Sequence, residues 1–173
     1  MKFFKQLDQM DCGTACIQMI AHHYGKFYSL NKLRELCNIN REGVSILGIS
    51  NAAEHIGFHT LAGKIDFDNL KNGIKLPCII HWKQNHFIIL SNITRRKVII
   101  IDPGVGIMEI PKSDFLMGWT GNNNDVGQKG ICLLLDPQPA FFSNKDESYT
   151  NSNLQNIFRY LRPHKKYFIR SLF

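Results

Sequence analysis

Several features are scarce in this sequence, and each scarcity narrows what the chain can do. No apolar run is long enough to span a bilayer, and residues 1–6 lack the apolar core of a signal peptide. The motif described below begins almost at residue 1, so no removable leader is expected. No Gly-rich phosphate-binding loop is present, so no nucleotide is expected within these 173 residues. Internal repeats and low-complexity tracts are missing. So is any disulfide-like cysteine spacing: five cysteines is an odd number and fits reduced thiols in the cytosol. Acidic residues stop at Glu147, after which Arg159, Arg162, Lys165, Lys166 and Arg170 follow. These five carry most of the net charge of +7 and leave only +2 for everything before them. The basicity belongs to the tail, and a nucleic-acid partner for the main body loses its motive.

What is present describes an ordinary globular chain, 44% hydrophobic and 20% charged, long enough for one domain with a core and an appendage. The first half reads as helical. An apolar run from Cys12 to Tyr24 stops at Gly25, with Asp11 near its N-cap and Gly25 at C′. Ser29 caps a second segment with Leu30, Leu33, Leu36 and Cys37 at helical spacing. Gly43-Val44-Ser45 opens a third, in which Ile46, Ile49, Ala52, Ala53 and Ile56 form a stripe ended by Gly57. A short helix is predicted over 66–72. The second half changes period: 76–82, 86–91, 97–102, 107–110 and 131–135 read as strands, with one helical turn at 113–117 and an exposed loop at 122–127. Helices first and antiparallel strands after predict an α+β domain in two segregated layers.

One stretch, Gln6 to Cys16, organises the chemistry. Cys12 falls in the first helical turn, where free backbone N–H groups and the positive end of the macrodipole favour an anion, hence a nucleophilic thiolate. Gly13 leaves room for another backbone to approach, and Gln6 can hold an amide donor beside the sulfur. Further on, a symmetric hairpin turn centred near Thr94 sets Leu90 against Val98, Ile88 against Ile100 and His86 against Asp102. Opposed Cβ atoms are about 4.5–5.5 Å apart, which suits an imidazole N–H bonded to a carboxylate. Each residue alone has a plain reading: a buried thiol, a strand-end histidine, a turn former before Pro103. Their conjunction predicts Cys12 as nucleophile, His86 as base, Asp102 as the group fixing the His tautomer, and Gln6 with the Cys12 N–H as oxyanion donors. A metal site on Cys12, Cys16, His22 and His23 is disfavoured, because adjacent histidines do not give the spaced pair that zinc prefers. Cys37, Cys78 and Cys132 read as buried thiols.

The Q-x-x-x-x-D-C-G-x-A-C pattern of Gln6 to Cys16 resembles the active-site opening of the double-glycine leader peptidases. These are the papain-like cysteine peptidase domains at the N-termini of bacterial peptidase-containing ABC transporters. The likeness continues through 43–58, His86-Phe87-Ile88, Asp102-Pro103-Gly104 and Phe115 to Gly121, and so covers the chain to about Pro137. The stretch 122–129 is longer than the usual link in that family. The resemblance implies catalytic Cys12, His86 and Asp102, with Gln6 in the oxyanion hole, and an N-terminal helical layer packed on a C-terminal antiparallel sheet. It also implies a substrate: bacteriocin-like precursor peptides whose amphipathic leader helix docks on an apolar surface and ends in Gly-Gly, Gly-Ala or Gly-Ser, cut after that pair. Outward-facing stripes within 30–56 are candidates for that surface. No cofactor is implied in this domain, since ATP belongs to a nucleotide-binding domain elsewhere.

The expected organisation is a peptidase domain at 1–138, a polar linker at 139–153 and an amphipathic segment at 154–173. Basic and aromatic residues alternate in that last segment as they do at an anionic membrane face. It resembles the elbow into the first transmembrane helix of such exporters, which puts the domain on the cytoplasmic side of the cell membrane as a piece of a longer protein. Two other readings compete. One is a non-catalytic leader-recognition module; the other is a papain-like amidase or transglutaminase, which the membrane-proximal tail weakens.

Overall fold

Ten consecutive residues from Cys12 to Ala21 are buried, so the first helix must be covered on every side. The structure, a computed structural model, describes residues 1–38, 43–121 and 129–145. In it α1 (Cys12–His23) follows a 3-10 turn at Gln9–Asp11 and ends at Tyr24 and Gly25. Asp8 caps the 3-10 turn by accepting the Met10 N–H at 3.1 Å. Asp11 stands at the N-cap position of α1 but makes no capping bond with its side chain, contrary to the sequence reading. The next helices, α2 (Leu30–Cys37) and α3 (Ile46–His55), begin at Ser29 and Ser45. Those two hydroxyls accept the N–H groups of Lys32 and Gly48, as serine N-caps do.

After α3 the chain enters an antiparallel sheet of β1 (Phe58–Ile65), β2 (Cys78–Trp82), β3 (His86–Ile93), β4 (Lys97–Asp102), β5 (Gly106–Pro111) and β6 (Gly130–Pro137). Their spatial order is β1-β6-β2-β3-β4-β5. Helices α4 (Phe67–Gly73), α5 (Lys112–Thr120) and α6 (Pro139–Ser143) lie between and after the strands. The α+β class holds. Strands β2, β3 and β4 carry the runs Cys78-Ile79-Ile80, Phe87 to Leu90 and Val98 to Ile101, nearly all of them buried. A strand apolar on both faces needs cover on both. Thus α1, α2 and α3 pack on one face with Ile79, Phe87, Ile89, Ile101 and Leu133. On the other face, Phe67 and Leu70 of α4 and Phe115 and Trp119 of α5 meet Ile80, Ile88, Leu90 and Ile100. The helical layer expected from the first half is there, but a second, smaller one makes three layers where two were expected.

Two elements are new relative to the sequence reading. The stretch 58–65, left unassigned there, is edge strand β1, paired along its whole length with β6 from Phe58↔Pro137 to Ile65↔Gly130. Only Phe58 and Thr60 of it are buried, so its alternation is too short to read. Residues 139–143, expected to be linker, form α6, and Phe141 is fully buried against Phe58 at 4.4 Å between ring centroids. Gly57, at φ +105°, makes room for this: a Cβ there would lie 2.5 Å from the Phe141 nitrogen. Residues 146–153 of the expected linker, the amphipathic segment 154–173 and the loop 122–127 lie outside the described residues. Among the described residues no helix is long and apolar enough to cross a membrane.

Candidate active site

The burial of α1 fixes where its first residue can sit. A Cβ on Gly13 would lie 2.5 Å from side-chain atoms of Val44 and Ile49, so it is side chains of α3 and the residues leading into it, not another backbone, that close on the residue after Cys12. One turn along, the Cys16 thiol donates to the Phe87 carbonyl at 3.5 Å, tying α1 to β3 beside His86. Cys12, 5% exposed, lies close enough to the His86 ring for its sulfur to favour the charged imidazole.

His86 Nε2 lies 2.8 Å from Asp102 Oδ1. With Nε2 held there, Nδ1 is the ring nitrogen left for a second partner. The pairing arises differently from the expected symmetric turn. Thr94 N–H donates to the Lys97 carbonyl at 2.9 Å, and a bulge between Leu90 and Asn92 moves the register to Leu90↔Ile100 and Ile89↔Ile101. The displacement from Leu90↔Val98 is two residues. A shift of two keeps every side chain on its own face, whereas a shift of one would not. His86 therefore reaches Asp102 diagonally, and not from directly opposite.

Backbone groups finish the corner. Gly104 N–H donates to Asp102 Oδ1 at 2.8 Å, and Gln6 N–H donates to the Pro103 carbonyl at 3.0 Å. The Gln6 amide lies beside Gly104, where an added Cβ would be 3.6 Å from Nε2. Gln6 Oε1 is buried and accepts no hydrogen bond among the described residues, so the fold does not tie up this amide. All four residues singled out from the sequence thus gather at one end of α1.

Charge at this corner is strongly coupled. Burial works against a charged His86 ring, but hydrogen bonds to Asp102 and Cys12, and their negative charges, outweigh it and push the pKa from 6.5 up to about 9. Burial likewise opposes an ionised Asp102, yet the bonds from His86 and Gly104 hold its carboxyl below the usual range. The Cys16 thiol is pushed well up, by burial first and then by the charges of Cys12 and Asp102, so it stays protonated beside Cys12 and His86. A cleft of about 350 Å³ opens next to this corner, lined by Val44, Ser45 and Ile46 at the start of α3 and by His81, Gln84 and Phe87 around the β2–β3 turn.

Arg34 is the residue that sequence reasoning missed. Its Nε donates to Asp11 Oδ1 at 2.7 Å and its Nη2 to Asp11 Oδ2. Nothing in the sequence joins two residues 23 positions apart on different helices. The rival metal set is dispersed: Cys16 bonds to β3, while the His22 and His23 rings pack on Phe4 and Tyr24. Among the described residues no cluster of three or more His, Cys, Asp or Glu could hold a metal ion.

The model of the peptidase C39 family matches residues 1–123. The chain belongs to the peptidase C39 family. This is a family of cysteine peptidases, and two C39 relatives with known structures share its fold. The chain is similar to a double-glycine-motif protease from an AMS/PCAT transporter, crystallised in complex with the leader peptide, at 30% identity and a TM-score of 0.69 over 79% of this chain and 91% of that one. It is similar to the peptidase domain of Streptococcus ComA, a bi-functional ABC transporter, at 33% identity and a TM-score of 0.69 over 79% of this chain and 98% of that one. Against the colicin V secretion/processing ATP-binding protein CvaB of Escherichia coli it is 35% identical over 116 residues, 67% of this chain. Those residues span 16% of that C39 relative's length.

Proposed function

We propose that this C39 domain is the endopeptidase that removes the leader from bacteriocin-like precursor peptides, cutting after a Gly-Gly-type pair. Cys12 is the nucleophile, His86 the acid–base group, Asp102 its orienting partner and Gln6 an oxyanion donor. The observation that carries this reading is His86, bonded through Nε2 to Asp102 and raised in pKa by both Asp102 and Cys12. In the reaction the Cys12 sulfur forms a bond to the scissile carbonyl carbon, and the carbonyl π pair moves onto oxygen. Gln6 Nε2 and the Cys12 N–H donate to that oxyanion, each worth about 3 kcal/mol in the transition state. As the C–N bond breaks, the His86 imidazolium gives its proton to the leaving amine. Water, deprotonated by His86, then releases the leader's C-terminus from the thioester.

The leader is an amphipathic helix ending in small residues, and the cleft beside Phe87 admits them as a nearly side-chain-free backbone. Leu47, 66% exposed on α3 within the stretch named from the sequence, belongs to the surface that meets the leader's apolar face. The domain needs no cofactor and binds no nucleic acid. It acts at the cytoplasmic face of the cell membrane beside the transmembrane and ATP-hydrolysing domains of one exporter. The linker that begins after α6 and the basic, aromatic segment 154–173 connect it to that exporter and contact the membrane surface.

The test is incubation of a Gly-Gly precursor with the parent protein and with Cys12→Ala. Cleavage after the pair by the parent and none by the variant is the expected result. Binding without cleavage by the parent would favour a leader-recognition module instead. Replacing the glycine before the cut with leucine is expected to lower kcat/KM at least 100-fold, about 3 kcal/mol, and normal turnover of that peptide would end the narrow-cleft account.

A further inference from the structure

We propose that Asp11 and Arg34 form a positioning pair that both anchors the head of α1 and cancels a buried negative charge beside Cys12. The inference rests on the reading of Cys12 as nucleophile. Asp11 immediately precedes the thiol and is 1% exposed. A side chain at this position ordinarily caps the helix, but this carboxylate makes no capping bond to α1. It accepts Arg34 Nε at 2.7 Å, Arg34 Nη2, and the Asp8 N–H at 3.0 Å. Arg34 also donates to Asn31 Oδ1 at 3.4 Å, which steadies the guanidinium on α2. Two parallel bonds from a planar fork fix orientation as well as distance.

The charges that face Cys12 make the consequence specific. From β3 comes His86, with Asp102 of β4 behind it. From its own helix comes the protonated Cys16 thiol, and from the preceding turn come Asp8 and Asp11. On the α3 side Val44 and Ile49 are apolar. Asp102 is balanced by His86, and Asp11 by Arg34. Remove Arg34 and a buried carboxylate one residue from the sulfur opposes the thiolate. Remove the Asp11 charge instead and an unopposed guanidinium favours it.

A clamp that only holds α1 in place would disturb Cys12 in the same sense whichever partner is lost. Charge balance demands opposite senses, and this separates the two. The experiment is the pH dependence of iodoacetamide labelling at Cys12, read by mass spectrometry in the intact chain. In Arg34→Met the acid limb is expected to move up by about one pH unit, a roughly tenfold slower labelling on that limb. In Asp11→Asn it is expected to move down. The double variant should return toward the parent, and Arg34→Lys should recover part of the shift, since lysine restores the charge but not the fork. Shifts of the same sign, or an unmoved limb in the near-isosteric Asp11→Asn, would overturn the proposal; Asp11→Asn and Arg34→Lys decide it even where Arg34→Met fails to fold. Labelling needs no turnover, so its outcome is separate from whether Cys12→Ala abolishes cleavage.

Discussion

His86 joins two opposing influences, and its behaviour follows from which of them wins. Burial alone would leave the ring neutral at pH 7, yet the Asp102 bond and the Cys12 bond hold it protonated to about pH 9. The folded pKa is raised above the unfolded one. The pairing therefore adds stability in full below about pH 6.5 and loses it as pH rises through about 9. If imidazolium is the group that protonates the leaving amine, kcat/KM should fall along an alkaline limb near pH 9. In Asp102→Asn the leading cause of the upward shift is gone, so that limb should move to lower pH and kcat/KM should fall; an unmoved limb would detach Asp102 from His86. At this scale much was legible in advance. Gln6, Cys12, His86 and Asp102 each carry chemistry that their sequence surroundings expose: a helix start, a strand end, a turn before proline. Arg34 was not legible, because a basic residue on a polar helix face looks solvated until its partner on another helix is known.

Among the elements, α1 does the positioning. It is buried from Cys12 to Ala21, is pressed by α3 at Gly13 and bonds to β3 through Cys16, so the thiol cannot drift from the histidine. The β3–β4 hairpin was legible as a pair but not in register, since a bulge depends on how the strands twist and not on their composition. What survived was parity: the error of two residues left His86 and Asp102 on one face. Strand β1 was hidden for a different reason, being half solvated at the edge of the sheet. The helix α6 escaped because Pro and polar residues around it read as linker, while its contribution rests on one buried ring. Phe141→Ala is therefore expected to cost about 3–5 kcal/mol, as for other buried aromatics, seen as a lower urea midpoint. A change below about 1 kcal/mol would return residues 139–143 to the linker.

For the whole molecule, the sheet is covered on both faces and the proposed catalytic corner sits at one end, where α1, β3 and the β4–β5 turn meet. The three-layer arrangement was implicit in the unbroken apolar runs of β2, β3 and β4, which no two-layer fold could cover. As a C39 domain the chain accounts for 16% of the length of its relative CvaB, so its proposed work is one step within a larger exporter. The proposed chemistry depends on Cys12 and His86 acting as one ionised unit, and the NMR titration of the His86 ring in the parent and in Cys12→Ala tests that most directly. A parent ring that stays protonated to about pH 9, and a variant ring that titrates at distinctly lower pH because the sulfur's hydrogen bond and charge are gone, is the predicted result. The same titration in both proteins, near the ordinary histidine value, would contradict it.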